Sequence, residues 1–417
     1  MVPPNLFESF KLMLKQAGIQ YEMCMDDVQK EIDKEPKPES PDSEQSIVKR
    51  SIHGYSVARF NSLEQISLRP GNRAIFIDGG FHAREWISHA VVLYILDAIV
   101  SGYNRRDPYY VNLLNYVDFY ILPVANPDGY EYTVRQDRMW RRTRSGPYCG
   151  CFHTPFAARG APCRRQCCHG VDMNRNFGFK FGAGNNLGSS EKPCTEDYRG
   201  PSAWSEVESR NIRDFILTRS HDIDAYITFH SYGQYWFVPF GYQKGKYPRD
   251  YSLLRRVADE GSNAIERVHH TRYKVGSSAS FLYPSAGTSD DWAKSIGIKF
   301  SYCLELRPDD FSRRGFLVSN NIIEPTGQET LEGLKVVFDK VVEISQRENP
   351  FRSAASDSVA DSSSHNNAQF NTDNHSESRS SSSSSSSSTS DTQTNQGWLW
   401  DDSRKTYIWT GWKKTNI

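Results

Sequence analysis

His82 and Glu85 stand three residues apart in His82-Ala83-Arg84-Glu85. Imidazole and carboxylate at that spacing on a tight turn can face one ion, and zinc accepts both ligand types. Such a pair alone also fits an ordinary turn whose glutamate opens a helix. Its meaning therefore depends on chemistry further along the chain. Two residues of fitting type follow: His230, in His230-Ser231-Tyr232, and Glu305, in Glu305-Leu306-Arg307.

The elements that must hold these residues read as alternating strands and helices. Ala74 to Asp78 is an apolar run that predicts a strand stopping at Gly79-Gly80. Ile87, Val91, Tyr94, Ile95 and Ala98 recur at helical spacing and predict a helix after Glu85. Val117 to Val124 reads as a buried strand ending at the turn Asn126-Pro127-Asp128-Gly129. Ser205-Glu206-Val207-Glu208 has the form of a capping box opening a helix that runs to Leu217. Ile223 to Phe229 predicts a buried strand ending at His230, and Lys299 to Leu304 another ending at Glu305. This alternation predicts an α/β fold, a mixed, mostly parallel twisted sheet with helices on both faces. Ligands in such sheets sit beyond the carboxyl ends of strands. His82, His230 and Glu305 each follow a strand at that end, so three separate signals become one constellation.

Composition narrows the partners. The 417 residues include 50 basic and 50 acidic ones, for a formal charge of zero. That balance gives no reason to expect nucleic acid or an anionic membrane surface as a partner. Ile87 to Val100 is the longest apolar stretch, and with Ser88, His89 and Asp97 in it no membrane span is expected. Met1-Val2-Pro3-Pro4 lacks the basic start and apolar run of a secretory signal. The cysteines point the other way. Six of the eight fall between Cys149 and Cys194, in a pattern that suits local disulfides better than a zinc finger. Disulfides imply a secreted, extracellular protein, and a start upstream of Met1 would reconcile the two observations.

Outside the central region the chain changes character. Residues 1–35 carry a compact helix–strand–helix pattern, and 35–48 read as a proline-containing polar linker ending at Lys49-Arg50, a dibasic processing site. From Ser353 to Gln396 the chain is rich in Ser, Asp, Asn and Thr, and it is expected to be disordered. It contains the sequon Asn374-His375-Ser376, meaningful in a secreted chain. Trp398, Trp400, Trp409 and Trp412 then crowd the last residues, where they can pair as a small aromatic hairpin or dock on a partner.

Taken in order, His82-x-x-Glu85, Asp172-Met173-Asn174-Arg175-Asn176, His230-Ser231-Tyr232 and Glu305-Leu306-Arg307 resemble the zinc metallocarboxypeptidases of the pancreatic A/B type. The resemblance covers nearly all of 51–345, and 1–35 looks like the later part of that family's inhibitory activation domain. It implies a partial activation segment and linker over 1–50 and a catalytic domain over 51–350, to which composition adds a disordered Ser-rich stretch over 351–396 and a Trp-rich segment over 397–417. It implies a monomer, made as a zymogen, that is cut by an activating protease near Lys49-Arg50 and acts on peptide and protein C-termini. His82, Glu85 and His230 are implied as ligands of one zinc per chain, a set that leaves a fourth position open for water. Asp172 is implied to orient a ligand imidazole. Glu305 is implied as general base and Arg141 as the oxyanion-stabilising arginine. The remaining basic residues around Arg141 read as a solvated stretch.

An enzyme that removes one terminal residue must grip a free carboxylate, which the guanidinium fork suits. The resemblance gives that role to Arg175, aided by Asn174 and by Tyr283 closing over the substrate. Arg84 and Tyr232 are implied to line the approach, and Phe316 to form an apolar wall. Asp290, two before Trp292, is implied to lie at the base of the specificity pocket, as in members that remove C-terminal Lys or Arg. A buried carboxylate needs a cationic partner, which such a residue supplies. The other reading of Asp290 is a helix cap facing away. Thr288 and Cys303 differ from the residues common in the family at their positions, and Pro308 predicts a cis Arg307-Pro308 bond. Cys168 and Cys194 match a disulfide of the family. The connectivity of Cys149, Cys151, Cys163 and Cys167 stays open, although two bridges would use all four and leave Cys24 and Cys303 free. The competing functions are the same exopeptidase with an apolar preference, an inactive binding protein on this fold, and a zinc deacylase with the same ligand set.

Overall fold

The computed structural model describes residues 64–66, 71–152, 164–184 and 188–348, and the strands at 398–401 and 406–409. The readings of 1–50, of the linker and its dibasic site, and of the Ser-rich stretch lie outside the described residues.

Seven strands form one sheet. They are β1 (Glu64–Ile66), β2 (Arg73–Gly79), β3 (Val117–Leu122), β6 (Ile223–Gly233), β7 (Tyr235–Phe237), β8 (Lys274–Gly276) and β9 (Phe300–Asp309), in the order β1-β3-β2-β6-β9-β7-β8. The central ladders β3–β2, β2–β6 and β6–β9 are parallel, as is β7–β8, whereas β1–β3 and β7–β9 are antiparallel. The sheet is thus mixed and mostly parallel, as the alternation predicts. A two-stranded hairpin, β4 (Tyr148–Phe152) with β5 (Arg164–Cys168), stands apart from it.

Helices cover both faces because both faces of the central strands are apolar. Ile75 and Ile77 of β2, Ile227 of β6 and Leu304 of β9 pack with α1 (Trp86–Asn104), α2 (Pro108–Tyr116), α5 (Tyr251–His269) and α7 (Ile323–Glu348). Phe76 and Tyr226 point the other way, toward α4 (Val207–Thr218) and α6 (Ser289–Ser295), with Phe177 and Trp292 between. Helix α1 is 19 residues long and apolar enough, by length and composition, to cross a membrane, more so than Ile87–Val100 suggested. Its residues Val91, Val92, Ile95 and Ile99 are nevertheless sealed against the sheet, which makes it a core helix.

Three local expectations need correction. The strands predicted to stop at His230 and Glu305 run through them, to Gly233 and Asp309. Asn126-Pro127-Asp128-Gly129 does turn the chain, but into α3 (Pro127–Arg135), with the Asn126 side chain accepting from Gly129 N at 3.0 Å. The Ser205–Glu208 capping box does not form. Asn176 Oδ1, 30 residues away, accepts from Glu206 N at 3.1 Å and takes its place. A well-placed distant acceptor satisfies the same orphan N–H as a local one.

The predicted Cys168–Cys194 disulfide is present. Cys149 and Cys167 face each other across β4–β5 and are bonded, and Cys151 is disulfide-bonded as well. Cys303 is a buried free thiol, as expected, while Cys24 lies outside the described residues. Arg307-Pro308 is cis, as Pro308 predicted. In the C-terminal part, β10 (Trp398–Asp401) and β11 (Thr406–Trp409) pair antiparallel, with Trp398 opposite Trp409 and Trp400 opposite Tyr407, while Trp412 lies outside the described residues.

Candidate active site

The carboxyl ends of β2, β6 and β9 carry the chemistry. Beyond β2 the chain turns at Gly80, whose φ of +73° and close neighbour His89 leave no room for a side chain. Glu85 N donates to His82 O at 3.1 Å, closing the tight turn before α1. His230 and Glu305 lie opposite each other in the parallel β6–β9 ladder.

Three donors converge there. His82 Nδ1 lies 2.8 Å from Glu85 Oε1, and His230 Nδ1 lies 3.0 Å from Glu85 Oε2 and 3.0 Å from His82 Nδ1. Ligands about 2.1 Å from a tetrahedral zinc stand about 3.3 Å apart, so the buried set already has nearly the spacing the ion requires. The far side of each ring is engaged too. His82 Nε2 faces Asp172 Oδ1 at 3.0 Å, the outer contact that holds a ligand imidazole in orientation. Asn174 Nδ2 lies 3.2 Å from His230 Nε2, on the side of the ring away from Glu85.

The remaining expected residues gather around the same point. A cleft of about 270 Å³ is lined by Arg84, Arg141, Asn174, Arg175, Tyr232, Tyr283, Asp290, Glu305 and Phe316 together with His82 and Glu85. Asp172 and His230 sit just behind its surface, buried. Arg141 Nη2 donates to Asp172 Oδ2 at 2.8 Å, and its Nη1 lies 3.6 Å from Glu85 Oε1. Arg175 is buried and donates to Asn174 O at 2.8 Å, while its Nε has no partner among the described residues. Tyr283 stands on the rim, 55% exposed.

Asp290 and Asp291 divide their work. Asp291 accepts from Gly241 N and Tyr242 N at 2.8 and 3.0 Å, facing away from the cleft. Asp290 lines the cleft, and the N-cap of α6 is Thr288, so the capping alternative for Asp290 does not hold. Cys303 and Thr288 share its wall.

The charges fall into two sets. Burial disfavours ionisation of Glu85 and Asp172, but His82 and His230 around the first, and Arg141, His82 and Arg175 around the second, outweigh it and hold both carboxyls well below their usual range. For Glu305, burial and the negative Glu85 win, raising it to about 8. Burial also raises Asp290, and it lifts Asp78, at the end of β2, to about 7. An acid whose folded pKa is raised stabilises the fold fully below its unfolded pKa and loses that contribution as pH climbs through the folded value. His230, also raised, acts in the same direction, whereas lowered His82 and His89 act oppositely below about pH 6.5. The metal-free protein is therefore expected to melt at lower temperature at pH 8.5 than at pH 6.5, with a shallower fall in Glu305→Gln. A melting temperature that stays level or rises over that interval contradicts this assignment of charges.

Sequence reasoning missed two arginines. Arg138 and Arg142 are 6% and 5% exposed, not solvated. Arg142 donates to Pro193 O at 2.6 Å, and Arg138 reaches the carbonyls of Arg84 and Phe316. A basic run carries no local signal of such partners, since carbonyls come from any residue type.

Comparison with known proteins agrees with this geometry. Residues 41–333 match the family model for zinc carboxypeptidase, and 1–35 match that for carboxypeptidase activation peptide. Carboxypeptidase B of Astacus astacus is 44% identical over 270 residues, covering 64% of this chain and 80% of that protein. Carboxypeptidase A2 of Mus musculus is 36% identical over 387 residues, 84% of each chain. The crystal structure of thrombin activatable fibrinolysis inhibitor superposes with a TM-score of 0.66 at 30% identity, covering 82% of this chain and 87% of that one. With the ligand-shaped His82, Glu85 and His230 at its centre, the chain belongs to the zinc carboxypeptidase family and is a metallocarboxypeptidase carrying an activation-peptide region.

Proposed function

We propose that the protein is a secreted zymogen whose mature form removes C-terminal Lys or Arg from peptides and proteins. The observation that carries the specificity is Asp290, a buried carboxylate at the cleft wall with no Lys or Arg paired to it among the described residues. Burial without a counter-charge is costly, and the side chain of a basic substrate residue removes that cost.

The roles follow from position. His82, Glu85 and His230 would hold the zinc, which would supply a Lewis acid for the scissile carbonyl and lower the pKa of water there. Glu305, opposite His230 in the ladder, takes the proton of the attacking water and returns it to the leaving amine. Arg141 donates to the carbonyl oxygen as charge develops on it, and its bonds to Asp172 hold the guanidinium at the cleft edge. Arg175 grips the terminal carboxylate through its fork, with the second N–H of the Asn174 amide beside it. Tyr283, on the exposed rim, closes over the bound residue. Phe316, Tyr232 and Arg84 receive the chain upstream of the scissile bond. Cleavage near Lys49-Arg50 separates the activation segment from the catalytic domain, which acts as a monomer.

The test is a peptide series differing only in the last residue, offered to the trypsin-treated protein. Arg and Lys ends are expected to be cleaved with kcat/KM about 100-fold above Leu or Phe ends, with all activity lost to a chelator and restored by zinc. Preference for Leu or Phe removes the Asp290 argument. Zinc binding with no cleavage of any end favours the binding-protein reading.

A further inference from the structure

We infer that Arg138 is a positioning residue that clamps the Phe316 wall of the cleft to the zinc-binding turn, so that the wall can grip the substrate upstream of the scissile bond. The inference rests on the proposed exopeptidase reading, in which Phe316 meets that part of the peptide.

The bonds are specific. Arg138 Nη1 donates to Arg84 O at 2.9 Å, between the ligands His82 and Glu85 in sequence, and Nη2 donates to Phe316 O at 3.0 Å, 178 residues along the chain. Its guanidinium carbon also lies 3.7 Å from the centre of the Trp86 ring, at the start of α1. One rigid, planar group thus spans two separate segments, which the single point charge of a lysine cannot do. The strip around Arg138 is tied to the same turn twice more, by Ala83 N donating to Arg141 O at 3.0 Å and Arg84 Nη1 donating to Met139 O at 3.2 Å.

On the far side, Phe316 is the meeting point of the wall. The Arg84 guanidinium lies 4.5 Å from its ring centre, and Tyr232 packs edge-on at 5.0 Å. The segment that bears it bonds within itself, through Ser312 N to Asp309 O and Leu317 N to Arg314 O, and is tied to the sheet at Asp310, whose Oδ2 accepts from Tyr235 Oη and Lys274 Nζ at 2.6 and 3.1 Å. At Phe316 itself, Arg138 adds a bond from outside the segment. Being buried, Arg138 does not meet substrate itself; it acts through where it holds Phe316.

The experiment compares Arg138→Lys and Arg138→Gln with wild type on two substrates sharing one C-terminal residue, a blocked dipeptide and a hexapeptide, with zinc content and melting temperature recorded. The expected result is a fall of about 10-fold in kcat/KM on the hexapeptide, mostly in KM, with the dipeptide within about twofold of wild type. Phe316→Ala, which removes the wall itself, should cost the hexapeptide at least as much as Arg138→Gln does, and adding Arg138→Gln to it should cost little more, because Arg138 acts only through Phe316. Equal losses on both substrates, no loss on either, or additive losses in the double variant overturn the clamp. A wild type that cleaves neither substrate, with zinc bound, overturns the exopeptidase reading and the clamp with it.

Discussion

Glu305→Gln is expected to lower kcat for every C-terminal residue by about 10²–10⁴-fold while leaving KM and zinc content near wild type. The amide has the shape of the carboxyl but cannot take a proton from water. Glu305 is not among the three converging ligand atoms, so the metal should stay. Its environment fits the role: burial beside Glu85 holds its pKa near 8, and the added charge of a dication lowers it toward the working pH. Since a base must be ionised to act, activity should rise with pH on the acid side, and that limb should vanish in the variant. Retention of more than a tenth of wild-type kcat with zinc in place would sink the assignment. Loss of zinc along with activity would instead place Glu305 in the metal shell.

Asp290→Asn should reverse the preference. Removing one partner from a buried ion pair costs about 3–5 kcal/mol, or about 10²–10⁴-fold in kcat/KM on Arg and Lys ends. Leu and Phe ends should be unchanged or improve, because the pocket no longer holds a desolvated charge. Asp291 is the matched control in reverse. Its carboxylate holds Gly241 N and Tyr242 N rather than the cleft, so Asp291→Asn should disturb stability and all substrates together. An Asp290→Asn enzyme that still prefers Arg ends by the wild-type ratio rules out Asp290 as the determinant.

The sequence carried the site well because metal chemistry restricts residue type and spacing so tightly. His82, Glu85, His230 and Glu305 could be picked from their positions after apolar runs, and the structure gathers them. Periodicity also revealed α1 and the central strands, whose apolar faces repeat over many residues. What failed were contacts between distant residues with no compositional mark. Asn176 capping α4 displaced a well-formed local capping box, and nothing near Asn176 announces it. Arg138 and Arg142 sit in a basic run that reads as surface, and only the carbonyls folded around them make burial tolerable. The strands ran on past His230 and Glu305 because polar functional residues interrupt hydrophobicity without ending a ladder.

That ladder has a consequence for how the chain finds its fold. A slip of one residue between β6 and β9 would exchange the side chains of one face for those of the other, which pack against a different helix layer. A slip of two keeps each side chain on its proper face, so hydrophobic packing discriminates far less against it. It would set His230 against Cys303 or Arg307 instead of Glu305, and Thr228 against Ser301 or Glu305 instead of Cys303. The polar residues that serve catalysis therefore also tell apart alignments that the apolar ones leave close in energy. A cation held by His82, Glu85 and His230 would act on the neighbouring β2–β6 ladder, adding its binding energy to that alignment alone. Such a cation would thus favour one strand register as well as supply chemistry.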